Sequence, residues 1–203
     1  MDDTRKNLVE KVGLLYLRYG IKSVTMDDVA RHLGISKKTL YSIVKDKNEL
    51  VSLTVQGQIE EHKQQDKELK ALNLSALDEM LIVFKTVSEI LQNLNPSYQY
   101  DLNKYYPHLC NQFMSFKKEQ LYNNIRENLI QGKKEGIYRQ ELNENIIARM
   151  NTDRNIAMFG ESDELHTWFT KETFKEVFFY HMHAILNENG RNKLKQKNFF
   201  QNI

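Results

Sequence analysis

The sequence has little of what a secreted, metal-binding or membrane-spanning protein needs. One cysteine, Cys110, among 203 residues excludes an internal disulfide framework and cannot by itself build a zinc site. The longest apolar runs, such as 80–84 and 177–180, are far too short to span a bilayer. The N-terminal MDDTRKNLVEK has no apolar signal-peptide region, so a cytoplasmic protein is predicted.

Helix-breaking residues are also scarce. Two prolines, Pro96 and Pro107, and eight glycines leave few places where a helix must stop. Apolar residues recur at helical spacing, and no strand-like alternation is credible, so the predicted fold class is all-α. We expect about nine helices, as an N-terminal three-helix bundle with a helix-turn-helix plus a larger C-terminal helical domain.

The net charge of +2 is unevenly distributed along the chain. Residues 1–47 hold 10 Lys/Arg and 6 Asp/Glu, a balance of +4, whereas residues 48–203 hold 19 and 21, a balance of −2. A positive N-terminal part is typical of a domain that faces a polyanion. The sequence therefore predicts a DNA-binding domain over 1–47 and a ligand-binding and dimerisation domain over 48–203.

The segment Met26 to Lys45, MDDVARHLGISKKTLYSIVK, combines capping signals with a helix-turn-helix spacing. Thr25 is a natural N-cap with Asp28 three residues on, Gly34 suits the turn, and Ser36 offers a second N-cap. The apolar or small residues that would pack the two helices together are Val29, Ala30, Leu33, Ile35, Leu40 and Ile43. The outward face of the second helix is polar, basic and free of acids, as suits entry into a DNA major groove; it carries Lys37, Lys38, Thr39, Tyr41 and Ser42.

The longer segment Tyr16 to Val51, YLRYGIKSVTMDDVARHLGISKKTLYSIVKDKNELV, resembles the TetR family of bacterial repressors. The family pattern runs from an apolar helix and a Gly, through Thr, Ile/Val-Ala and Gly-Val/Ile-Ser, to Thr/Ser-Leu/Ile-Tyr and Lys-Glu-Leu. Two departures are visible. Ser42, Ile43 and Val44 stand where the family usually has an aromatic pair and a Phe, and Asn48 stands where an acid is common.

The resemblance implies a one-component transcription regulator, by family habit a repressor, that binds a palindromic operator as a homodimer and is released by a small-molecule effector. It places DNA contacts at Thr25, Ser36, Lys37, Lys38, Thr39, Tyr41 and Lys47, and Ser42 is a further candidate on the same helix. Each has a plainer reading. Capping alone explains Thr25 and Ser36, and the lysines form an ordinary solvated face in that reading.

Beyond the motif, helices are predicted over 47–72, 77–91, 108–132, 143–159 and 165–189, with an aromatic stretch over 98–106 and a tail from Arg191 to Ile203 that frays. The turn from Gly132 to Arg139, followed by an amphipathic helix, is a weaker point of resemblance to the family. The last helix carries more apolar surface than one core-facing stripe requires, which predicts a dimer interface at Phe174, Phe178, Met182 and Ile185. A helix buried on all sides by its own chain is the alternative.

In the family an effector sits inside the C-terminal domain and changes the separation of the DNA-reading heads. The candidate lining residues are Tyr98, Tyr105, Tyr106, His108, Phe113, Met114, Met150, Phe159 and Trp168, which suggest an apolar or aromatic effector. Aromatic residues at helical spacing are more often plain core, so that interpretation stays open.

No other chemistry is predicted. His181 and His183 lie two apart on a helix and chelate a metal poorly, as does Cys110 with His108, so no metal or cofactor is expected. Phosphate-binding loops and nucleophile motifs are absent from the sequence, and no enzyme activity is predicted. Two rival hypotheses remain: a helical dimeric adaptor that binds proteins without DNA, and, weaker, a ligand-binding helical enzyme.

Overall fold

The computed structural model describes residues 3–93, 95–158 and 170–197. Ten helices lie in these ranges: α1 (Asp3–Tyr19), α2 (Met26–Leu33), α3 (Lys37–Ile43), α4 (Lys47–Ala71), α5 (Ala76–Asn93), α6 (Pro96–Tyr105), α7 (Pro107–Lys134), α8 (Glu144–Met158), α9 (Lys171–Ile185) and α10 (Glu188–Gln196). The only β-type pairing in the described ranges is an isolated bridge between Tyr138 and Leu186. The predicted all-α class is confirmed.

Three elements differ from the sequence prediction. The aromatic stretch forms a helix, α6, because Asn95 accepts from the Ser97 amide as N-cap and Pro96 fits the first helical turn. The helix predicted over 165–189 ends at Ile185. The predicted frayed tail contains α10, which begins at an Asn187 cap that accepts from the Gly190 amide at 2.9 Å.

Two compact units share the chain. Unit 1 contains the described residues of 1–68 and 94–116, and unit 2 contains those of 69–93 and 117–203. Both units are therefore discontinuous in sequence, and unit 1 adds most of α4, all of α6 and the start of α7 to the three N-terminal helices. None of the described helices is long and apolar enough to cross a membrane.

The core of unit 1 joins the helix-turn-helix to the helices that follow it. Val12 and Tyr16 of α1, Val29 of α2, Leu40 of α3 and Leu50 of α4 are all buried. The same cluster includes Val51, Val55, Tyr98, Leu102 and Cys110. Since α2 and α3 each contribute to this shared core, their outer faces are held in a fixed position relative to α1 and α4.

The core of unit 2 is rich in aromatic rings, and one of them, Tyr138, packs against Gly132. Phe84 of α5 packs against Phe174 and Phe178 of α9, with ring centroids 5.4 Å and 4.5 Å apart. The Tyr138 ring lies directly over Gly132, where a Cβ atom would come within 2.1 Å of it. Glycine is therefore required at 132 by close approach, which explains the spacing of the Gly132 to Arg139 turn.

Candidate nucleic-acid interface

Helix α2 is fixed at both ends by the signals that the sequence predicts. Thr25 is the N-cap and forms a capping box with Asp28: the Asp28 amide donates to Thr25 Oγ1, and the Thr25 amide donates to Asp28 Oδ2. The Thr25 hydroxyl donates to Asp28 Oδ2 at 2.6 Å, and this bond, with the one from the Thr25 amide, holds the pKa of Asp28 below its usual value, helped by the charge of Arg31. At the other end Gly34 has a φ of 67°, the left-handed conformation that ends a helix.

Helix α3 begins three residues after Gly34, at Lys37. Ser36 Oγ accepts from the Thr39 amide at 3.0 Å and also lies 2.8 Å from Thr39 Oγ1. Leu40 is fully buried in the core of unit 1, so one face of this short helix is fixed. The opposite face is exposed and consists of Lys37, Lys38, Thr39, Tyr41 and Ser42.

One of the two positive charges on this face is paired with an acid. Lys37 Nζ forms an ion pair with Asp27 of α2 at 2.7 Å, and this contact raises the pKa of Lys37. Among the described residues no ion pair involves Lys38. Sequence reasoning missed the Asp27 contact, because it counted acids along α3 and not across the turn on α2. Lys38 is thus the more available of the two cations.

Lys47, the remaining predicted DNA contact, begins α4 and is half-buried. Its ammonium donates to the Val24 carbonyl at 2.6 Å. Burial lowers the pKa of Lys47, and the nearby charge of Lys22 lowers it further. Because Val24 directly precedes Thr25, Lys47 lies beside the N-terminus of α2, where backbone N–H groups favour an anion.

A second contact ties α4 to its neighbours. Glu49 Oε2 accepts from the Lys45 amide at 2.6 Å, and Glu49 Oε1 pairs with Arg5 of α1 at 2.7 Å. One carboxylate therefore fixes the chain after α3 and the start of α1 together. The exposed face of α3 is presented on a rigid support.

The candidate effector residues do not form one group. Tyr98 is buried in unit 1, and Tyr106, Phe113 and Met114 are partly buried against the same cluster. Tyr105 and His108 are exposed. Met150 belongs to unit 2 and is 63% exposed, while Phe159 and Trp168 lie outside the described residues.

The candidate dimer residues are covered by their own chain. Phe174, Phe178, Met182 and Ile185 are all buried in the core of unit 2, where α5 supplies the packing partner. These four side chains of α9 thus pack within unit 2. Other apolar side chains of α8 and α9 are exposed instead: Ile146, Met150 and Tyr180.

Comparison with known proteins identifies the fold. No family model matches the sequence, and no curated protein matches it. Among solved structures, a transcriptional regulator from Cytophaga hutchinsonii is similar with a TM-score of 0.70 and 17% identity, covering 92% of this chain and 100% of that one. The TetR family protein CprB from S. coelicolor A3(2) is similar with a TM-score of 0.61 and 12% identity over the whole of both chains.

A ketosteroid transcriptional regulator of Mycobacterium tuberculosis is similar as well, with a TM-score of 0.55 and 17% identity over 93% of this chain and 97% of that one. Identities this low establish the fold and not the activity. The chain therefore has the all-helical fold of TetR-family transcriptional regulators, with the helix-turn-helix and its capped helices at the expected positions.

Proposed function

We propose that this chain is a DNA-binding transcriptional regulator that binds a palindromic operator as a homodimer and is released by a small-molecule effector. The observation that carries the proposal is the exposed, acid-free face of α3. This helix packs on the core of unit 1, and both α2 and α3 begin at a capping side chain. Such a helix presents side chains to base edges in the major groove, and its flanking N-termini meet phosphates. A regulator of this kind works in the cytoplasm, where the operator is.

Contacts would divide between bases and backbone. Lys38 and Thr39 near the start of α3 are placed to reach base edges. Tyr41 of the same helix, and Thr25 and Lys47 outside it, suit phosphate contacts, which position the protein without reading sequence. Residues 1–47 would thus bind DNA, and residues 48–203 would bind the effector and the second subunit.

The homodimer rests on the exposed apolar surface of unit 2. Ile146 and Met150 lie one turn apart on α8, and Tyr180 of α9 is 75% exposed. Exposed apolar side chains that form a contiguous patch mark a protein–protein interface. We expect Met150→Glu to convert a dimer into a monomer in light scattering after size exclusion, and Met150→Leu to leave the dimer intact. A wild-type chain that is monomeric at all concentrations contradicts this assignment.

We infer the effector site from a few polar atoms inside the apolar core of unit 1. Tyr98 Oη donates to Gln58 Oε1 at 2.9 Å, and burial raises the pKa of Tyr98 to about 12. The buried atom Gln58 Nε2 has no hydrogen-bond partner among the described residues. Buried polar atoms are rarely left unpaired, so a mainly apolar ligand with one hydrogen-bonding group suits this spot.

Release would follow from a population shift. A ligand that prefers a dimer geometry in which the two α3 helices no longer match successive major grooves, about 34 Å apart, lowers operator affinity. The mycobacterial protein with this fold is a ketosteroid transcriptional regulator by name, and an apolar effector is what we propose for this chain.

The test of DNA binding is selection from a random oligonucleotide pool. The wild-type chain should enrich a palindromic site, and Lys37→Ala/Lys38→Ala should enrich none. Lys63→Ala/Lys70→Ala removes two exposed lysines of α4 that are also ion-paired, and should enrich the same site as the wild type. If the wild-type chain enriches no sequence at any salt concentration, the proposal fails and the adaptor hypothesis takes its place.

A further inference from the structure

Unit 1 has an open concave surface beside the helix-turn-helix to which α6 contributes. Its volume is about 370 Å³, and its lining residues are Ile21, Lys22, Lys47, Asn48, Tyr105 and Tyr106. Two of these side chains are lysines, one is an amide, two are phenols and none is an acid. A concave surface with this composition suits an anion with several hydrogen-bond acceptors.

The lysines are held in place by different contacts. Lys22 Nζ lies 4.3 Å from the centre of the Tyr105 ring, a cation–π contact. Lys47 Nζ donates one of its three N–H groups to the Val24 carbonyl, which leaves two for a ligand. The ring and the carbonyl thus fix both ammonium groups without neutralising either charge.

The acids near this surface lie beneath it or are already engaged. Asp101 is 7% exposed, and its Oδ2 accepts from the Lys22 amide at 2.7 Å. Asp28 caps α2 through Thr25, and Asp46 accepts from the Glu49 amide at 2.9 Å. The burial and the charge of Lys22 that lower the pKa of Lys47 outweigh the opposing charges of Asp101 and Asp28. The charge of a bound anion would act in the opposite direction and raise the pKa of Lys47.

Helix α6 is fixed against the end of α1 and the turn that follows it. Besides the Asp101 contact, Asn95 Nδ2 donates to the Arg18 carbonyl at 2.6 Å. Gly20, with a φ of 82°, leaves room for this approach, because a Cβ there would lie 3.0 Å from Asp101 Oδ2. Tyr105, at the end of α6, is thereby held beside Lys22.

We propose that Lys22, Lys47 and Tyr105 form a binding site for a phosphate group, so that α6, a helix outside the helix-turn-helix, is part of the anion-binding surface. The favoured source is the DNA backbone, because the site adjoins the N-terminus of α2 through Val24. A free phosphorylated molecule is the other source with the same chemistry. The DNA assignment rests on the proposed regulator function, whereas the phosphate site itself does not.

Salt dependence of DNA binding tests the DNA source. The slope of log affinity against log salt should fall by about 0.9 for each phosphate that the protein no longer neutralises, and a homodimer has two such phosphates for each substituted residue. We expect this fall, counted once for each subunit, for Lys22→Gln, and a smaller fall for Tyr105→Leu. Each substitution should change the slope equally on operator and on unrelated DNA. Lys63→Gln is the matched control, since Lys63 has the same charge and also lies over a ring, Phe116, at 5.8 Å. Its slope should equal that of the wild type.

Inorganic phosphate tests the site without DNA. Titrated into the free chain, it should shift the amide NMR signals of residues 21–24 and 47–48 in the wild type and much less in Lys22→Gln. Phosphate-induced shifts with unchanged salt slopes support the site and assign it to a free phosphorylated molecule. Unchanged slopes together with no phosphate-induced shift overturn the inference. A wild-type chain that binds no DNA refutes the regulator function, and the phosphate titration still decides the site.

Discussion

Two sets of basic side chains, one in each compact unit, lie in opposite environments. In unit 1, Lys37 and Lys38 of α3 are exposed on a short capped helix. In unit 2, His181 of α9 is buried beside Arg154 of α8, whose Nε is buried without a hydrogen-bond partner among the described residues. Exposed cations attract a polyanion at little cost to folding, whereas buried ones make stability depend on pH. The same kind of residue is thus accessible to an anion in one unit and makes stability depend on pH in the other.

Two glycines, one in each unit, differ in how tightly they are packed. Gly132→Ala in unit 2 should lower the free energy of unfolding by about 3 kcal/mol, because the new Cβ overlaps the Tyr138 ring. A Cβ at Gly13, in α1 of unit 1, would have no neighbouring atom within 4 Å. Gly13→Ala should therefore raise the free energy of unfolding by roughly 0.5–1 kcal/mol. Urea unfolding of both variants measures the difference. Equal effects of the two substitutions would remove this part of the comparison.

The buried histidine gives the next largest effect. Burial, with the charge of Arg154, lowers the pKa of His181 to about 4. Between pH 6.5 and 4 the unfolded chain therefore binds more protons at this group than the folded chain, and stability falls as the pH drops. The loss between pH 7 and pH 5 is at most about 2 kcal/mol.

His181→Gln removes this pH-dependent contribution, so the variant is the control for the wild type. Urea unfolding at the two pH values should show a larger loss for the wild type than for the variant. An equal loss in both proteins would mean that His181 is protonated without penalty in the folded chain.

The N-cap of α3 separates capping from DNA contact. Ser36→Ala should destabilise the chain by about 1 kcal/mol, because the Thr39 amide loses its acceptor. Ser36→Asp keeps an acceptor and should restore stability, yet its carboxylate should repel phosphate and leave operator affinity low. If Ser36→Asp binds the operator as tightly as the wild type, Ser36 is a cap and nothing more.

The helix-turn-helix could be predicted from the sequence because its signals are local. Thr25 and Asp28, Gly34, and Ser36 each act within three or four residues, and the structure places them as caps and turn. The Asn95 and Pro96 pair is an equally local signal for α6, but this helix was not predicted because the aromatic residues around the pair suggested a pocket.

Features that depend on packing between distant helices could not be predicted. The sequence shows that α9 is apolar, but only the structure shows that Phe84 of α5 covers Phe174 and Phe178. The ion pair between Lys37 and Asp27 likewise crosses from one helix to another. A pattern along one helix cannot tell which neighbour covers it.

The most direct test of the account is a methylation-protection footprint on the selected operator. If α3 reads the major groove in a homodimer, guanine N7 atoms should be protected in two successive major grooves, about 10 base pairs apart and related by two-fold symmetry. Lys37→Ala/Lys38→Ala should abolish both protections together. Protection of adenine N3 in the minor groove, or protection in a single groove without symmetry, would contradict the account.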